Sequence, residues 1–340
     1  MAAVKGDAYG HAAVTVANAL QAAGCDAFGV ALVEEGAQLR EGGITGLVLC
    51  MGGVGRHGAE AAVEYDLVPV LYDEGDAERL NSAACRAGKR VDVHVKVDTG
   101  MGRLGVPLPH WERFLDRIAP FGSLDVVAMM THLAESESND ATFTTEQLRR
   151  FKLAVATARG RGFSPRVLHA ANSGAILSHP ASWFDLVRPG ILLYGEPPVP
   201  TAAIRPVMRV STRVLFVKDL PRGASVSYGR RFVTPRPTRV ATLPVGYADG
   251  YPRGLSGKAQ VLVAGRRCDV LGTVCMDLCM VDVTDLPTPV ESGDEVVLLG
   301  QMQDERISAN EIAGWAGTIA YEVLCGFSER VPRVHGLVTP

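Results

Sequence analysis

The sequence predicts an α/β fold, a (β/α)8 barrel of the TIM type, followed by a C-terminal β-rich domain. Up to about residue 200, eight short apolar segments alternate with amphipathic segments that are rich in Ala and Glu. Alternation of strand and helix is typical of a parallel sheet, and eight repeats favour closure into a barrel. After Pro206, short β-branched runs are separated by Gly, Pro and Asp turns, which is typical of a domain made of strands.

The barrel elements follow one another along the first part of the chain. The predicted strands are eight short apolar runs: 1–5, 27–33, 46–51, 67–72, 91–97, 124–132, 167–171 and 184–194. Helical patterns lie between them, among them 12–23, 35–42, 76–87 and 145–159. An open doubly wound sheet shows the same alternation and is the rival architecture.

A cluster of prolines between Gly195 and Pro206 predicts the domain boundary. We assign residues 1–200 to the barrel domain and residues 206–340 to the strand domain. The predicted strands of the second domain are 207–217, 239–245, 259–263, 274–283 and 295–299, and one helix is predicted near 307–316.

The composition favours a protein that acts on a small molecule. Lys and Arg number 34 and Asp and Glu 37, a net charge of −3, so no basic field indicates nucleic-acid binding. No apolar run approaches the roughly 20 residues that span a membrane, and the first residues do not resemble a signal peptide. We therefore predict a soluble cytoplasmic protein without nucleic-acid or membrane partners.

The cysteines predict neither a disulfide framework nor a metal site. There are 7 of them, an odd number, scattered through apolar stretches of a long chain. Cys275 and Cys279 bracket Met276 and Asp277, but no second Cys/His pair lies nearby to complete a ligand set. We predict no metal.

Reactive side chains follow the predicted barrel strands, at whose carboxyl ends barrel enzymes place their active sites. They are two lysines, two arginines, two histidines and a serine: Lys5, Lys96, Arg103, His132, His169, Ser173 and Arg188. Such a cationic mouth suits an anionic cofactor. The sequence contains no P-loop motif and no G-x-S-x-G nucleophile turn, which argues against a nucleotide-binding loop and a serine hydrolase.

Several motifs in fixed order resemble those of alanine racemases, essentially from end to end. They are V-K-G-D-A-Y-G-H (4–11), K-V-D-T-G-M-G-R-L-G (96–105), H-A-A-N-S-G-A (169–175), V-R-P-G-I-L-L-Y-G (187–195), V-S-Y-G (226–229), G-Y-A-D-G-Y-P-R (246–253), C-M-D (275–277) and Y-E-V (321–323). The resemblance implies a pyridoxal 5′-phosphate enzyme that interconverts L- and D-alanine and supplies D-alanine for cell-wall peptidoglycan.

The resemblance also assigns two acid/base residues. Lys5 matches the lysine that holds the cofactor, and Tyr228 matches the group on the opposite face of the substrate. Racemisation needs both, because a proton leaves one face of the α-carbon and returns to the other. A free phenol has a pKa of about 10, so the tyrosine needs a partner that favours its charged form. His132 matches the family residue that hydrogen-bonds this tyrosine.

Other matches surround the cofactor ring. Arg188 matches the residue that faces the ring nitrogen, and a guanidinium cannot protonate that nitrogen as an aspartic acid would, which leaves a weaker electron sink. Arg103 matches a contact to the cofactor's phenolic oxygen and the substrate carboxylate. Lys96 matches a lysine that is carbamylated in many members and orients this arginine, and Asn172 is expected to support the site.

The phosphate and substrate ends are implied in the same way. Tyr9, Ser173, Tyr321 and the backbone N–H groups of Gly190 and Ile191 match the phosphate ligands. Met276 and Asp277 match the wall that faces the substrate carboxylate, and Tyr247 and Tyr321 match the residues that narrow access to it. The family forms head-to-tail homodimers, so we expect shared active sites.

Three alternatives stay open. A racemase for serine or for a broader set of amino acids differs only in the width of the access. A decarboxylase of this fold places an acid near the ring nitrogen, which Arg188 argues against. A cofactor-binding carrier of the single-barrel type lacks a second domain, whereas this sequence predicts one.

The small number of residues before Lys5 leads to a separate hypothesis. Only Met1 and residues 2–4 precede Lys5, whereas alanine racemases carry a strand and a covering helix upstream of this lysine. We therefore hypothesise that the chain is N-terminally shortened and, as written, poorly soluble, weakly active or inactive.

Overall fold

The computed structural model describes residues 1–199, 201 and 204–336, and its contacts divide the chain into two compact units. The first unit holds Met1–Leu193 with the described residues between 197 and 204, and the second holds Tyr194–Glu196 and the described residues from Arg205 onward. The predicted boundary residue Pro200 and the last residues, 337–340, lie outside the described part.

A parallel sheet forms the core of the first unit. Its strands are β1 (Ala2–Ala3), β2 (Ala27–Val30), β3 (Leu47–Cys50), β4 (Val68–Leu71), β5 (Val91–Asp98), β6 (Val106–Pro107), β7 (Leu124–Met130) and β8 (Val167–His169). They pair in the order β1-β2-β3-β4-β5-β7-β8, and the short β6 pairs with β5 off this path. Every pair is parallel. The α/β barrel prediction is confirmed.

The sheet closes through a segment that is not a regular strand. Between β8 and β1, the N–H of Asp185 donates to the oxygen of Leu168, and the N–H of Ala3 donates to the oxygen of Pro189, both at 3.0 Å. Pro189 has no N–H to extend a ladder, and the chain turns into a 3-10 helix at Ile191–Tyr194. The predicted strand over 184–194 is therefore wrong as regular structure, although residues 185–189 occupy its place.

Helices connect the strands. They are the helical turn α1 (Lys5–Gly10), α2 (Ala13–Ala22), α3 (Val33–Glu41), α4 (Ala59–Glu64), α5 (Glu74–Arg86), α6 (Trp111–Ile118), α7 (Thr142–Gly160) and α8 (Ser173–Ser178), with 3-10 turns at Leu108–His110 and Pro180–Ser182. In α6, Trp111, Phe114, Leu115 and Ile118 are buried, the three- and four-residue spacing of one helix face. Helices of this kind cover the sheet.

Strand β5 is buried on both faces. Val93, Val95 and Val97 are completely inaccessible on one face, and His94 and Lys96, which alternate with them, are only 2% and 5% exposed. Full burial of each valine contributes about 1.5–3 kcal/mol. The polar residues of the opposite face have to find partners inside the barrel, because buried polar groups are hydrogen-bonded.

Antiparallel strands form the second unit. They are β9 (Val210–Arg213), β10 (Phe216–Leu220), β11 (Ser225–Val226), β12 (Phe232–Val233), β13 (Thr238–Leu243), β14 (Gln260–Val263), β15 (Arg266–Leu271), β16 (Cys279–Asp282), β17 (Glu295–Met302) and β18 (Glu305–Ile307). The main sheet has the order β10-β13-β16-β15-β14-β17-β18, with β9 on β17, and β11 pairs with β12 in a separate ribbon. The β-rich second domain is confirmed.

Two helices close the second unit, α9 (Ala309–Ala316) and α10 (Ala320–Gly326). The first begins at a capping box, because the Ser308 hydroxyl accepts from the N–H of Glu311 at 3.1 Å and the Glu311 carboxylate accepts from the N–H of Ser308 at 3.2 Å. Helix α9 matches the predicted helix, whereas α10 was not predicted. Within the described residues, no helix combines the length and apolar character needed to cross a membrane.

Candidate active site

The reactive side chains of the first unit meet at the carboxyl ends of the barrel strands. Lys5 follows β1, Lys96 lies near the end of β5, His132 follows β7, His169 ends β8, and Arg188 lies in the closing segment. Because parallel strands end on the same side of a barrel, chain positions up to 183 residues apart (188 minus 5) share one mouth.

Lys5 is followed by a left-handed turn. Residues 6–9 have φ values of +62°, +52°, +54° and +55°, and three of them are not glycine. Left-handed backbone costs a non-glycine residue roughly 1–2 kcal/mol. Side chains hold the turn, since the Asp7 carboxylate accepts from the N–H of Ala13 and the Glu35 carboxylate accepts from the N–H of Gly6, both at 2.7 Å. The backbone beside Lys5 is thus fixed in an uncommon shape.

Arg188 is a buried cation held by the strand ends. Its Nη2 group donates to the carbonyl oxygens of Thr131 at 2.8 Å and Ala170 at 2.9 Å, and faces Nδ1 of His132 at 3.3 Å. Its Nη1 group faces Nδ1 of His169 at 2.9 Å. Burial lowers the pKa of Arg188 to about 10, so the guanidinium stays charged at neutral pH.

The histidines around Arg188 are neutral. Burial, and next the charge of Arg188, lowers the pKa of His94 to about 3 and the pKa values of His132 and His169 well below the ordinary value. An arginine can only donate, so the Nδ1 atoms that face it accept, and the ring proton of His132 and of His169 is on Nε2. His132 therefore has an Nε2–H to donate.

A buried amide holds the backbone that carries His132. The Gln147 side chain, completely inaccessible, donates to the His132 carbonyl at 3.1 Å and to the Thr99 hydroxyl at 3.2 Å. Its oxygen accepts from the N–H of Ala134 at 2.9 Å. The amide thus bonds on both sides of Leu133, which restrains the start of the loop after β7.

Lys96 lies among other cations. Burial, and then the charges of Arg188 and Arg103, lowers the pKa of Lys96 to about 8, against a weaker raising effect from Asp98. Arg103 itself is exposed. Near neutral pH a measurable fraction of this amine is uncharged, and an uncharged amine is a nucleophile.

A hydroxyl cradle lies at the ends of β8 and the closing segment. The Ser173 hydroxyl oxygen accepts from the N–H of Gly190 at 2.9 Å and from the N–H of Leu192 at 3.4 Å. A Cβ on Gly190 would stand 2.4 Å from the Tyr9 hydroxyl oxygen, so only glycine leaves that hydroxyl in place. Ile191, the other predicted backbone ligand, lies between these two N–H groups and is 2% exposed.

Asn172 supports this cradle from one side. Its side-chain oxygen accepts from the N–H of Ala175 at 3.1 Å and from the Ser136 hydroxyl at 2.7 Å. Its amide donates to the oxygen of Leu133 at 3.2 Å. These bonds tie the start of α8, where Ser173 lies, to the loop after β7.

In the second unit, Tyr228 projects into solvent from a fixed backbone. Its ring is 73% exposed, and it opens a 3-10 turn at Tyr228–Arg230. The Ser227 hydroxyl donates to the oxygen of Thr273 at 2.6 Å, and the Thr273 hydroxyl donates to the oxygen of Tyr228 at 2.9 Å. The phenol is exposed while its main chain is anchored to the segment after β15.

The other predicted residues of this unit lie on neighbouring loops. The N–H of Tyr247 donates to the oxygen of Cys275 at 3.1 Å, and the N–H of Ala248 donates to the oxygen of Met276 at 3.0 Å. Tyr247 is 43% and Met276 is 53% exposed. The Asp277 carboxylate accepts from Arg330 at 2.9 Å, and Tyr321 is half-buried in α10.

The residues of the first unit fit pyridoxal 5′-phosphate. The cradle of Tyr9, Ser173 and Gly190 offers hydroxyl and N–H groups for a phosphate, and a Cβ on the glycine would fill it. Arg188 offers a fixed cation for the ring nitrogen. Lys5 follows β1, the strand whose Ala3 N–H donates to the oxygen of Pro189, next to Arg188. Within the described residues, no group of three or more His, Cys, Asp or Glu side chains could hold a metal ion.

Two protein-family models match almost the whole chain. The models of the alanine racemase N-terminal and C-terminal domains match residues 1–198 and 207–335. The chain belongs to the alanine racemase family. It is accordingly an amino-acid isomerase that depends on pyridoxal 5′-phosphate and interconverts L- and D-alanine, and the resemblance of its motifs is confirmed.

Alanine racemases of other organisms are similar to this chain in sequence and structure over nearly its whole length. The alanine racemase of Symbiobacterium thermophilum is 46% identical over 340 residues, which cover 99% of this chain and 90% of that protein. The crystal structure of the enzyme from D-cycloserine-producing Streptomyces lavendulae superposes with a TM-score of 0.94 at 37% identity, covering 99% of this chain and 91% of that one. The Bartonella henselae alanine racemase, solved with covalently bound pyridoxal phosphate, has a TM-score of 0.89 at 31% identity, covering 98% and 91%.

Sequence reasoning missed three groups at this site. His94 lies inside the predicted strand 91–97 and Gln147 inside the predicted helix 145–159, where apolar periodicity assigns no role to a polar residue, and the N–H of Leu192 lies outside the predicted phosphate ligands Gly190 and Ile191. A polar residue at a core position of a predicted barrel strand is a signal that could have found His94, because buried polar groups need partners.

Proposed function

We propose that this chain moves the α-proton of alanine between Lys5 and Tyr228, which act on opposite faces of the substrate, and supplies D-alanine for peptidoglycan. The observation that carries the proposal is the buried Arg188, whose Nη groups donate to two strand-end carbonyls and face two neutral histidines. A permanent donor at this place favours racemisation over decarboxylation, because it leaves the cofactor ring nitrogen without a proton.

The barrel residues hold and orient the cofactor. Tyr9, Ser173 and the N–H groups of Gly190 and Ile191 would bind the phosphate, with Tyr321 as a further hydroxyl donor. Arg188 would donate to the ring nitrogen. When bound, pyridoxal 5′-phosphate withdraws electrons from the substrate α-carbon and so acidifies its proton.

Two groups exchange that proton. The amino nitrogen of Lys5 takes or returns it on one face, and the phenol oxygen of Tyr228 does so on the other. His132 supports the second group, because its Nδ1 accepts from Arg188 and its Nε2–H remains to donate to the phenolate. A donated hydrogen bond stabilises the charged form of a phenol.

The substrate carboxylate has its own partners. Arg103 is an exposed guanidinium that can form two parallel hydrogen bonds with it. Lys96 would orient this arginine, and Met276 and Asp277 would form the facing wall. Tyr247 and Tyr321 would narrow the access so that a methyl side chain passes more readily than larger ones.

We further propose that the working unit is a head-to-tail homodimer with shared active sites. The exposure of Tyr228, Tyr247 and Met276, between 43% and 73%, supports a surface that a partner covers. In this arrangement these residues reach the partner subunit's Lys5. The scattered cysteines support a cytoplasmic location.

The test uses the purified protein with pyridoxal 5′-phosphate. Borohydride treatment followed by peptide mass spectrometry should find the cofactor fixed on the peptide that contains Lys5. Lys5→Ala should abolish racemisation of L-alanine and the fixation, whereas Lys152→Ala, at an exposed position of α7, should change neither. Fixation on another lysine in the Lys5→Ala protein would contradict the assignment. Faster turnover of L-serine than of L-alanine would favour the alternative substrate.

A further inference from the structure

We propose that His94 is a positioning residue, which holds His169 in the tautomer that accepts a hydrogen bond from Arg188. The proposal rests on the proposed role of Arg188 at the cofactor ring. His94 belongs to none of the motifs that carry the family resemblance, and it lies one hydrogen bond further from the barrel mouth than His169.

His94, His169 and Arg188 are connected in this order by two buried hydrogen bonds. Nδ1 of His94, in β5, lies 3.0 Å from Nε2 of His169, at the end of β8, and Nδ1 of His169 lies 2.9 Å from Nη1 of Arg188. The two rings meet edge to face, with centroids 5.0 Å apart and planes at 76°. All three residues are at most 5% exposed, so water does not replace these contacts.

The chemistry of the three groups determines which atom donates and which accepts in each hydrogen bond. A guanidinium has no acceptor, so His169 must accept at Nδ1. A neutral imidazole carries one proton, so His169 must donate from Nε2, and the atom it faces is Nδ1 of His94. His94 therefore accepts there and carries its own proton on Nε2. The direction of every hydrogen bond follows from the arginine.

Other states of His169 are unfavourable at this place. A proton on Nδ1 would set one donor against another at Arg188. An imidazolium would add a second charge beside Arg188, with the amines of Lys96 and Met1 also acting against it. Burial and Arg188 lower the pKa values of both histidines, which keeps the pair neutral.

His94 stabilises the tautomer of His169 that Arg188 requires. It gives the buried Nε2–H of His169 an acceptor, without which that donor would be unsatisfied. With the acceptor removed, the tautomer that Arg188 needs and the tautomer that clashes with it become closer in free energy. Arg188 then loses its firm partner at Nη1 and keeps those at Nη2.

Two substitutions distinguish the effect of the hydrogen-bond acceptor on His94 from the effect of its ring. His94→Phe keeps a ring against His169 but removes the acceptor, whereas His94→Asn places an amide oxygen near the former Nδ1. The readout is the 15N spectrum of imidazole-labelled protein, with signals assigned by substitution. We expect His169 as a single species protonated on Nε2 in the parent and in His94→Asn, and as a mixture of tautomers in His94→Phe.

Cofactor binding provides the second readout. Titration with pyridoxal 5′-phosphate should show about tenfold weaker binding for His94→Phe, a change of about 1.4 kcal/mol, with most of the affinity restored in His94→Asn. A parent protein in which His169 is protonated on Nδ1, or is an imidazolium, overturns the proposal even if the phenylalanine variant does not fold. So does a His94→Phe protein with an unchanged tautomer and unchanged affinity.

The tautomer measurement is independent of turnover. If His169 behaves as expected but the parent does not racemise alanine, then the proposed function fails and the positioning role of His94 stands. If the parent racemises alanine but His169 carries its proton on Nδ1, then the positioning role alone fails.

Discussion

The hydroxyl oxygen of Tyr9 lies where a side chain on Gly190 would have to go, because a Cβ on that glycine would stand 2.4 Å from it. Gly190 is also the residue whose N–H donates to Ser173 at 2.9 Å. One missing methyl group therefore lets a phenol, a hydroxyl and a backbone N–H share a small volume. Such a set suits a phosphate.

Gly190→Ala should weaken the binding of pyridoxal 5′-phosphate by at least about tenfold, because Tyr9 must move away from the cradle. Equilibrium titration of the cofactor absorbance measures this. Gly160→Ala is the matched control, since a Cβ on Gly160 meets nothing within 4 Å. Unchanged affinity in Gly190→Ala would show that the cradle does not bind the phosphate.

Gln147→Leu should lower both stability and activity. The change removes three hydrogen bonds of the buried Gln147 amide and leaves the buried hydroxyl of Thr99 without this donor, for a loss of roughly 1–3 kcal/mol. Urea unfolding measures the free energy of unfolding. We expect kcat to fall more than KM changes, since His132 moves away from the proton-transferring group. An exposed glutamine, Gln301, gives the control Gln301→Leu. An unchanged kcat would remove Gln147 from the positioning of His132.

Stability should fall as the solution becomes acidic. Burial, and next Arg188, lowers the pKa of His94 from 6.5 to about 3, and the pKa values of His132 and His169 are lowered too. The unfolded chain then binds protons that the folded chain does not. The contribution of each neutral histidine is complete above pH 6.5 and is lost as the pH falls toward the folded value.

The expected slope below pH 6.5 is at most about 1.4 kcal/mol per pH unit for each buried histidine. Urea unfolding at several pH values between about 5 and about 7.5 tests it. Replacement of the exposed His57 by glutamine should leave the slope unchanged. A free energy of unfolding that is level across this range would contradict neutral buried histidines.

Tyr228→Phe should impair proton exchange with one enantiomer far more than with the other. The phenol serves one face of the substrate and Lys5 serves the opposite face, so the loss is one-sided. Solvent-deuterium incorporation into L- and D-alanine, followed separately, measures it. Equal losses for both enantiomers at every step would argue against two bases.

Mixing two inactive proteins tests the shared site. Lys5→Ala and Tyr228→Phe subunits should recover part of the activity on mixing, because one site of a hybrid dimer then holds both intact residues. Subunit exchange is verified with a mass-tagged copy of one variant. No recovery despite proven exchange would mean that each subunit completes its own site.

The sequence by itself determined the barrel, the second β-rich unit and the family. Apolar runs that alternate with amphipathic ones carry the parallel sheet, because this local periodicity depends only on neighbouring residues. The motifs around Lys5, Arg188 and Tyr228 carry the chemistry for the same reason, since each is a short run whose residue types are directly readable.

The tertiary structure alone decided how those residues are held. His94 and His169 are 75 positions apart and meet only because β5 and β8 flank β7, and Gln147 reaches His132 across a loop. The barrel closes through irregular chain rather than a strand, since Pro189 cannot donate. Hydrogen bonds between distant segments depend on where the backbone brings donors and acceptors, and no local pattern encodes that.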